Sequence, residues 1–472
     1  MDNVRIELNR HAGQSLIEQI RLSIGSAIRE GQLYAGARMP SWRDLAAQLG
    51  VARGTVRAAY ERLIDEQLLV ARGAAGTYVC EHPPSSRTLV APATPRGPLP
   101  AFLMHPFGHP PLPFQVGVPA QDAFPYTQWS RASISAARHA AHSPTNYPDP
   151  RGEQALRTEI AAYLAVARGL VCSPEQILVT SGYAGALGLA LLALPLRNRQ
   201  AWFEEPGYPL ARLALSTTGV QVVPVDVDVD EQGLVVEQGI ARAPLAALAV
   251  VTAGQQAPLG MTLSLARRHA LLEWASRSNS WIIEDDYLSE LQLAGKAAPA
   301  LASLDHAGRV IHIGTFSKTI SPALRLGFMV VPPALVNHFM DSAAVLAPAP
   351  AMATQMTITA FMKGGHYLRH LRRMKRLYAS RLGLLRAALG QEHAQDAMAG
   401  LALLLPLDNG EDDQRIARLA LTQGMAPAPL SVWYAKAEGA RSGLLLGIPN
   451  ILESDVERAC QQLLCLIGAV RR

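Results

Sequence analysis

Residues 81–113, "EHPPSSRTLVAPATPRGPLPAFLMHPFGHPPLP", constrain this chain more than any other stretch. A segment so dense in proline, with Ser and Thr in its first half, cannot bury a core and tends toward extended, semi-rigid backbone. It is read as a linker. It cuts the 472-residue chain into a head at 1–80 and a body at 114–472. The division suits the length, because a single hydrophobic core stops growing at about 250–300 residues. With 49% hydrophobic and 17% charged residues, both parts are expected to be globular rather than disordered. A net charge of +5 permits an acidic partner without requiring one. Cys80, Cys172, Cys460 and Cys465 form no CxxC pair and read as buried thiols of a reducing compartment, with no metal site. The polar start "MDNVRIELNR" and the lack of any apolar run near 20 residues predict no signal peptide, no membrane span and a cytoplasmic location.

In the head, Leu16, Ile20, Ile24 and Ile28 recur at helical spacing, with Gly31 as a stop. "PSWRDLAAQLG" predicts a second short helix, capped by Ser41 and ended by Gly50. After a tight turn, "ARGTVRAAYERLIDEQLL" places Val56, Ala59, Tyr60 and Leu63 on one face, leaving Arg53, Thr55 and Arg57 near the exposed helix start. That is where a recognition helix meets bases and phosphates. "LLVARGAAGTYV" then reads as two short strands with a Gly-rich tip. A small helical interaction domain with solvated arginines is the plainer alternative, and charge does not decide between them. Order and spacing do. The run 40–79 resembles the winged helix-turn-helix of the GntR family. The resemblance implies double-stranded promoter DNA as a partner, with Arg43, Arg53, Thr55 and Arg57 as contacts and Gly76 at the wing. Trp42 stands where that family usually has a small residue.

The body alternates short apolar runs, such as "QILVTSG", "LAALAVVTAG", "SWIIEDDY" and "RVIHIGTFSK", with helical patterns. This predicts an α/β fold around a mainly parallel sheet covered on both faces. Lys318 follows one strand, flanked by Thr315, Ser317 and Arg325. Another strand ends in Asp285, Asp286 and Tyr287. Two adjacent acids suit a metal equally well, but no neighbouring His and carboxylate complete such a site. A desolvated lysine suits a Schiff base, a carboxylate suits a protonated pyridine nitrogen, and a phenol suits a ring hydroxyl. "TSGYAGALGLALL" supplies Ser181 and Gly182 at a helix start, where the amides of Tyr183 and Ala184 suit a phosphate. The cofactor that these residues imply is pyridoxal 5'-phosphate, at the carboxyl ends of parallel strands.

The motifs "NYPDPRGEQALRTEIAAYLAVARG", "EEPGYPLAR", "VTAGQQAPLG", "IIEDDY" and "GTFSKTISPALRLGFMVVP" resemble the fold-type I aminotransferases. With the head, the chain resembles the MocR-type transcriptional regulators. The resemblance implies a smaller C-terminal α+β subdomain and a homodimer. It also implies roles: Lys318 for the Schiff base, Asp285 for the ring nitrogen, Tyr287 for the ring hydroxyl and Tyr208 for stacking on the ring. Thr315, Ser317 and Arg325 would hold the phosphate, and Tyr147 would reach the partner subunit's phosphate. Three departures bear on function. Ala257 replaces the aminotransferase Asn, Gln255-Gln256 replaces the usual His-Gln pair with Gln256 still assigned to the cofactor, and Leu444, Leu445 and Leu446 stand where an Arg would grip a substrate carboxylate. Arg441 is the nearest guanidinium. Without that anchor, the expectation is a regulator that senses an amine-bearing or vitamin-B6-related effector; the alternative is an active aminotransferase with an appended DNA-binding module. The acid-free stretch at 366–382 is read as a solvated amphipathic helix burying Leu368, Leu371, Met374 and Tyr378, with a DNA-phosphate contact as the other reading.

Overall fold

Helix α1, Leu16–Arg29, begins where the Ser15 hydroxyl accepts the Glu18 N–H, and it buries Ile20, Ile24 and Ile28. Helix α2, Trp42–Leu49, is capped by Ser41, and Gly50 closes it in the left-handed region at φ 64°. The Ser41→Ala variant should destabilise the head by about 1 kcal/mol, read from its thermal unfolding. Helix α3, Arg53–Asp65, buries Val56, Ala59, Tyr60 and Leu63. These side chains share one core with the apolar faces of α1 and α2. The Tyr60 hydroxyl donates to Pro40 O at 3.0 Å, fixing α3 against the residues that start α2. Strands β1, Leu69–Ala71, and β2, Thr77–Val79, pair antiparallel as a wing.

The computed structural model describes residues 6, 8–10, 13–81, 110–142, 147–228, 233–288, 291–293, 297–390, 394–398, 401–408, 410–436 and 439–471. The chain divides into two compact units, Met1–Leu99 and Pro100–Arg472. Most of the expected linker, 82–109, lies outside the described residues.

In the second unit eight strands form one sheet: β3 Ile177–Thr180, β4 Gln200–Glu205, β5 Gln221–Asp228, β6 Gly233–Leu234, β7 Leu248–Val251, β8 Trp281–Asp286, β9 Val310–Thr315 and β10 Gly327–Val330. Their order is β3-β10-β9-β8-β7-β4-β5-β6. The run from β9 to β5 is parallel, while β10 is antiparallel to both its neighbours and β6 is antiparallel to β5. Successive residues of a strand point to opposite faces, and here both faces are packed. Phe203 joins the core on one side of β4 and Trp202 the core on the other.

A second, four-stranded antiparallel sheet carries the smaller subdomain: β11 Gln395–Ala397, β12 Ala402–Pro406, β13 Ala428–Pro429 and β14 Gly443–Gly447, in the order β11-β12-β14-β13. The helices Asp413–Thr422 and Val456–Val470 share a core with it. The helix His366–Leu389 buries Leu371, Met374 and Tyr378, but Leu368 is exposed. The apolar stripe is narrower than expected because His370 and Arg381 share the inner face. The thiols also differ from expectation: Cys460 is buried, Cys80 and Cys172 are half-buried, and Cys465 is exposed. Among the described residues, no helix is long and apolar enough to cross a membrane.

Candidate functional site

The Lys318 side chain is half-buried in the turn after β9, and its amine donates to Gly117 O at 2.8 Å. Burial lowers this amine to about 8, partly opposed by the negative charge of Asp285. Asp285 lies near the carboxyl end of β8, the strand beside β9. Burial pushes its carboxyl up to about 8; a hydrogen bond from the Tyr183 side chain opposes the shift, and Asp286 and Glu204 add to it. Two buried atoms here, Asp285 Oδ1 and the Tyr287 hydroxyl, lack a hydrogen-bond partner among the described residues. Buried polar groups are nearly always paired, so such orphans mark where a ligand atom belongs.

The phosphate candidates cluster at the start of the helix Gly182–Ala193, directly after β3. The first-turn N–H groups of a helix have no partners inside it. Gly182 sits at φ +78°, and Gly185 lets this turn close, since a Cβ there would meet Ser181 Oγ at 2.2 Å. Arg325, itself left-handed at φ 47°, donates from Nη2 to Ser181 O at 3.1 Å. Thr315 Oγ1 donates to Ser317 Oγ at 3.0 Å and accepts the Ser317 N–H at 3.1 Å. The sheet therefore brings Lys318, Asp285, Tyr183 and Tyr208 within mutual reach. Tyr208 lies 6.2 Å from the Tyr183 ring and 5.9 Å from Trp433, centroid to centroid. Its phenol is pushed up to about 12, first by burial and then by Asp285.

Tyr147 is fully exposed and meets none of these groups within the chain. Gln256 is buried, and its amide donates to Pro206 O at 2.7 Å and Ala257 O at 2.8 Å, while its carbonyl accepts the Leu259 N–H at 3.0 Å. Those bonds tie the Gln256 side chain to its own loop and to the turn after β4. Leu444, Leu445 and Leu446 are wholly buried in β14, and Arg441 is exposed in the turn before it. The adjacent acids separate as strand alternation requires. Asp286 turns away from Asp285 and pairs with Arg168 at 2.7 Å, so the two carboxylates do not form a shared metal site.

Sequence reasoning overlooked three groups. The Tyr183 side chain serves Asp285, whereas only its backbone amide was expected to matter. Glu204, one residue before the end of β4, is a buried carboxyl raised to about 7 by burial, which hydrogen bonds from Thr252 and Gln256 oppose. The Gly117 carbonyl meets Lys318 from 201 residues away. The first two lie in motifs that were read for other atoms. Gly117 carries no side-chain signal at all.

In the head, Arg53 and Arg57 are exposed and Thr55 half-buried on the first two turns of α3. Arg57 Nε pairs with Glu61 at 2.9 Å. The Arg43 guanidinium rests 4.9 Å from the Trp42 ring centroid, so the unusual aromatic supports its neighbouring cation. Gly76 turns the wing at φ +106°.

Residues 16–79 match the bacterial regulatory proteins of the gntR family, and residues 111–462 match the aminotransferase class I and II family. The chain is 33% identical to a probable rhizopine catabolism regulatory protein, MocR, of Rhizobium meliloti, over 94% of this chain and 92% of that one. It is also 33% identical to the HTH-type transcriptional regulator TauR of Rhodobacter capsulatus, over 93% of each. The crystal structure of an archaeal alanine:glyoxylate aminotransferase aligns with a TM-score of 0.69 at 24% identity, over 77% of this chain and 92% of that one. The fold thus implies pyridoxal phosphate. The orphaned Asp285 Oδ1 and Tyr287 hydroxyl, the low-pKa amine and the open helix start fit that group's ring nitrogen, ring hydroxyl, aldehyde and phosphate.

Proposed function

The chain belongs to the MocR-type regulators, a gntR-family head joined to an aminotransferase class I and II body, and from that premise we propose a regulator of transcription governed by pyridoxal phosphate and an amine-bearing or B6-related effector. It acts in the cytoplasm as a homodimer on promoter DNA. One observation carries the sensing role: Lys318, Asp285 and Tyr287 are kept together, while the strand that would bear a carboxylate-binding arginine is filled by buried leucines.

When bound, the cofactor supplies an aldehyde carbon for amines and an electron-withdrawing ring. Lys318 would hold it covalently, and its lowered pKa leaves much of the amine neutral near pH 8. Asp285 would keep a proton on the ring nitrogen, Tyr287 would donate to the ring hydroxyl and Tyr208 would cover a ring face. Thr315, Ser317, Arg325 and the amides of Gly182, Tyr183 and Ala184 would hold the phosphate, with Tyr147 reaching the partner subunit's phosphate. Among the described residues, β14 offers no guanidinium to grip an α-carboxylate bidentately, so an amine reaches the cofactor without the orientation that rapid turnover needs.

The rate of cofactor capture should rise about tenfold per pH unit below 8 and level off above it, followed by the visible absorbance band. In the head, Arg53→Ala should weaken DNA binding and reduce the slope of log affinity against log salt by about 0.9, as loss of one phosphate contact requires. The proposal itself is tested by titrating the cofactor-loaded protein with a panel of amines, with and without its own upstream DNA. A band shift with amines, without sustained consumption of amine and keto acid, is expected. Steady turnover would instead identify a working aminotransferase.

A further inference from the structure

The first described residues beyond 109 form no helix or strand, yet they are held at every step. Ala426 N–H donates to Pro113 O at 2.9 Å, and Gly447 N–H donates to Phe114 O at 2.8 Å, seating Phe114 fully buried in the core of the smaller subdomain. Gly447 must lack a side chain, because a Cβ there would lie 2.3 Å from Gln115 O. Asn450 Nδ2 then donates to Val118 O at 2.8 Å, and the Ala120 N–H donates to the Tyr378 hydroxyl at 2.9 Å. Arg381 pairs with Asp122. Between these anchors the carbonyl of Gly117 accepts the hydrogen bond from Lys318. Gly117 is at φ +80°, and a Cβ there would stand 2.7 Å from Lys318 Nζ. Backbone and amine are thus in direct contact, with no side chain between them.

We propose that residues 112–122 are a strap through which the bonding state of Lys318 reaches the segment leading to the DNA-binding head. The proposal rests on the cofactor reading above and adds the route of transmission. The free amine of Lys318 has N–H groups to donate and clamps the strap at Gly117. When the lysine nitrogen forms a C=N bond to the cofactor's aldehyde carbon, water leaves and the nitrogen keeps at most one hydrogen. That hydrogen, where present, is fixed in the plane of the C=N bond and no longer free to turn to Gly117, so the clamp there is lost. When a primary amine takes that carbon, one C=N bond forms as the other breaks, and the ε-amine returns to Gly117 with its hydrogens. Effector binding therefore tightens the strap, and cofactor loading alone loosens it. In sequence the strap directly follows the segment that leads from the head, residues 81–111. The smaller subdomain and the helix His366–Leu389 are coupled to the same event through Phe114, Asn450 and Tyr378.

Hydrogen–deuterium exchange on the full-length protein tests this, read on the peptide containing Val118 and Ala120. Three samples are compared: cofactor-free protein, protein loaded with pyridoxal phosphate, and cofactor-free Lys318→Met. Loss of one hydrogen bond of ordinary net strength corresponds to about fivefold faster exchange. The strap should exchange about fivefold faster in the loaded and the Lys318→Met samples than in cofactor-free wild type, with head peptides unchanged. Asn450→Ala, which removes an anchor without touching the lysine, should raise strap exchange in every state. Equal or slower strap exchange in the loaded sample, with the absorbance band present, overturns the strap and leaves the cofactor reading intact. Should no band form, the cofactor reading fails; the comparison of Lys318→Met with wild type then still decides whether the lysine holds the strap.

Discussion

Lys318→Ala should remain colourless in pyridoxal phosphate, bind operator DNA as the unmodified protein does, and lose every response to amines. The reasons are separable. Covalent capture needs a primary amine at one place, and no other lysine stands among the site residues. Borohydride reduction of the loaded parent followed by peptide mapping should tag residue 318 and no other. DNA binding should persist because the head has its own core, built from α1, α2 and α3. Coupling between effector and DNA sites typically spans 5–150-fold in affinity, and linkage requires it to be reciprocal. In the variant that ratio should fall to one, measured by DNA binding with and without amine. A persisting amine effect in Lys318→Ala would move sensing away from this lysine.

The largest effect on stability is expected at Arg168, which pairs with Asp286 rather than with any proposed cofactor contact. Its guanidinium reaches Asp286 at 2.7 Å and also donates to Ala298 O, and both charged partners are almost wholly buried. Beside them, His312 Nδ1 meets Glu284 at 3.0 Å, and Glu284 also accepts the N–H groups of Leu301 at 2.6 Å and Ala302 at 3.0 Å. Breaking a buried ion pair by deleting one partner strands the other in a medium that solvates charge poorly. Arg168→Ala should therefore cost about 3–5 kcal/mol, read as a lowered urea midpoint with an unchanged m-value. Removing Asp286 as well, in Arg168→Met with Asp286→Leu, should recover much of the loss.

The His312–Glu284 pair adds a pH signature. Burial alone would raise Glu284, but the charge of His312 overrides it and holds the carboxyl below its ordinary 4.5. Burial alone would lower His312, but Glu284 overrides it and raises the ring above 6.5. The carboxyl's contribution is complete above about 4.5 and fades as pH falls through its depressed value; the imidazole's is complete below about 6.5 and fades as pH rises through its elevated one. The pair thus stabilises the body most between those limits. Glu284→Gln should flatten both limbs of the unfolding free energy against pH.

Much of this site was legible beforehand because its signals are local. Lys318 with Thr315, Ser317 and Arg325 lies within eleven residues, and a single strand ends in Asp285 and Tyr287. Strand alternation even implies that Asp285 and Asp286 face opposite ways. Capping by Ser41 and closure at Gly50 follow from the same short-range chemistry. What could not be read were partners that only folding assembles. Arg168 and Asp286 are 118 residues apart, Gly117 and Lys318 are 201 apart, and the Gln256 amide donates to Pro206 O from 50 residues away.

The sequence alone determined the two-part organisation, the winged head, the alternating strand–helix body and the residue types of a pyridoxal-phosphate site, because periodicity, capping and reactive chemistry act over a few residues. Only the tertiary structure decided what each buried polar group faces: Tyr183 against Asp285, Arg168 against Asp286, and a glycine carbonyl against the reactive lysine. A buried hydrogen bond or ion pair is set by which strands become neighbours, and that is a property of the whole fold.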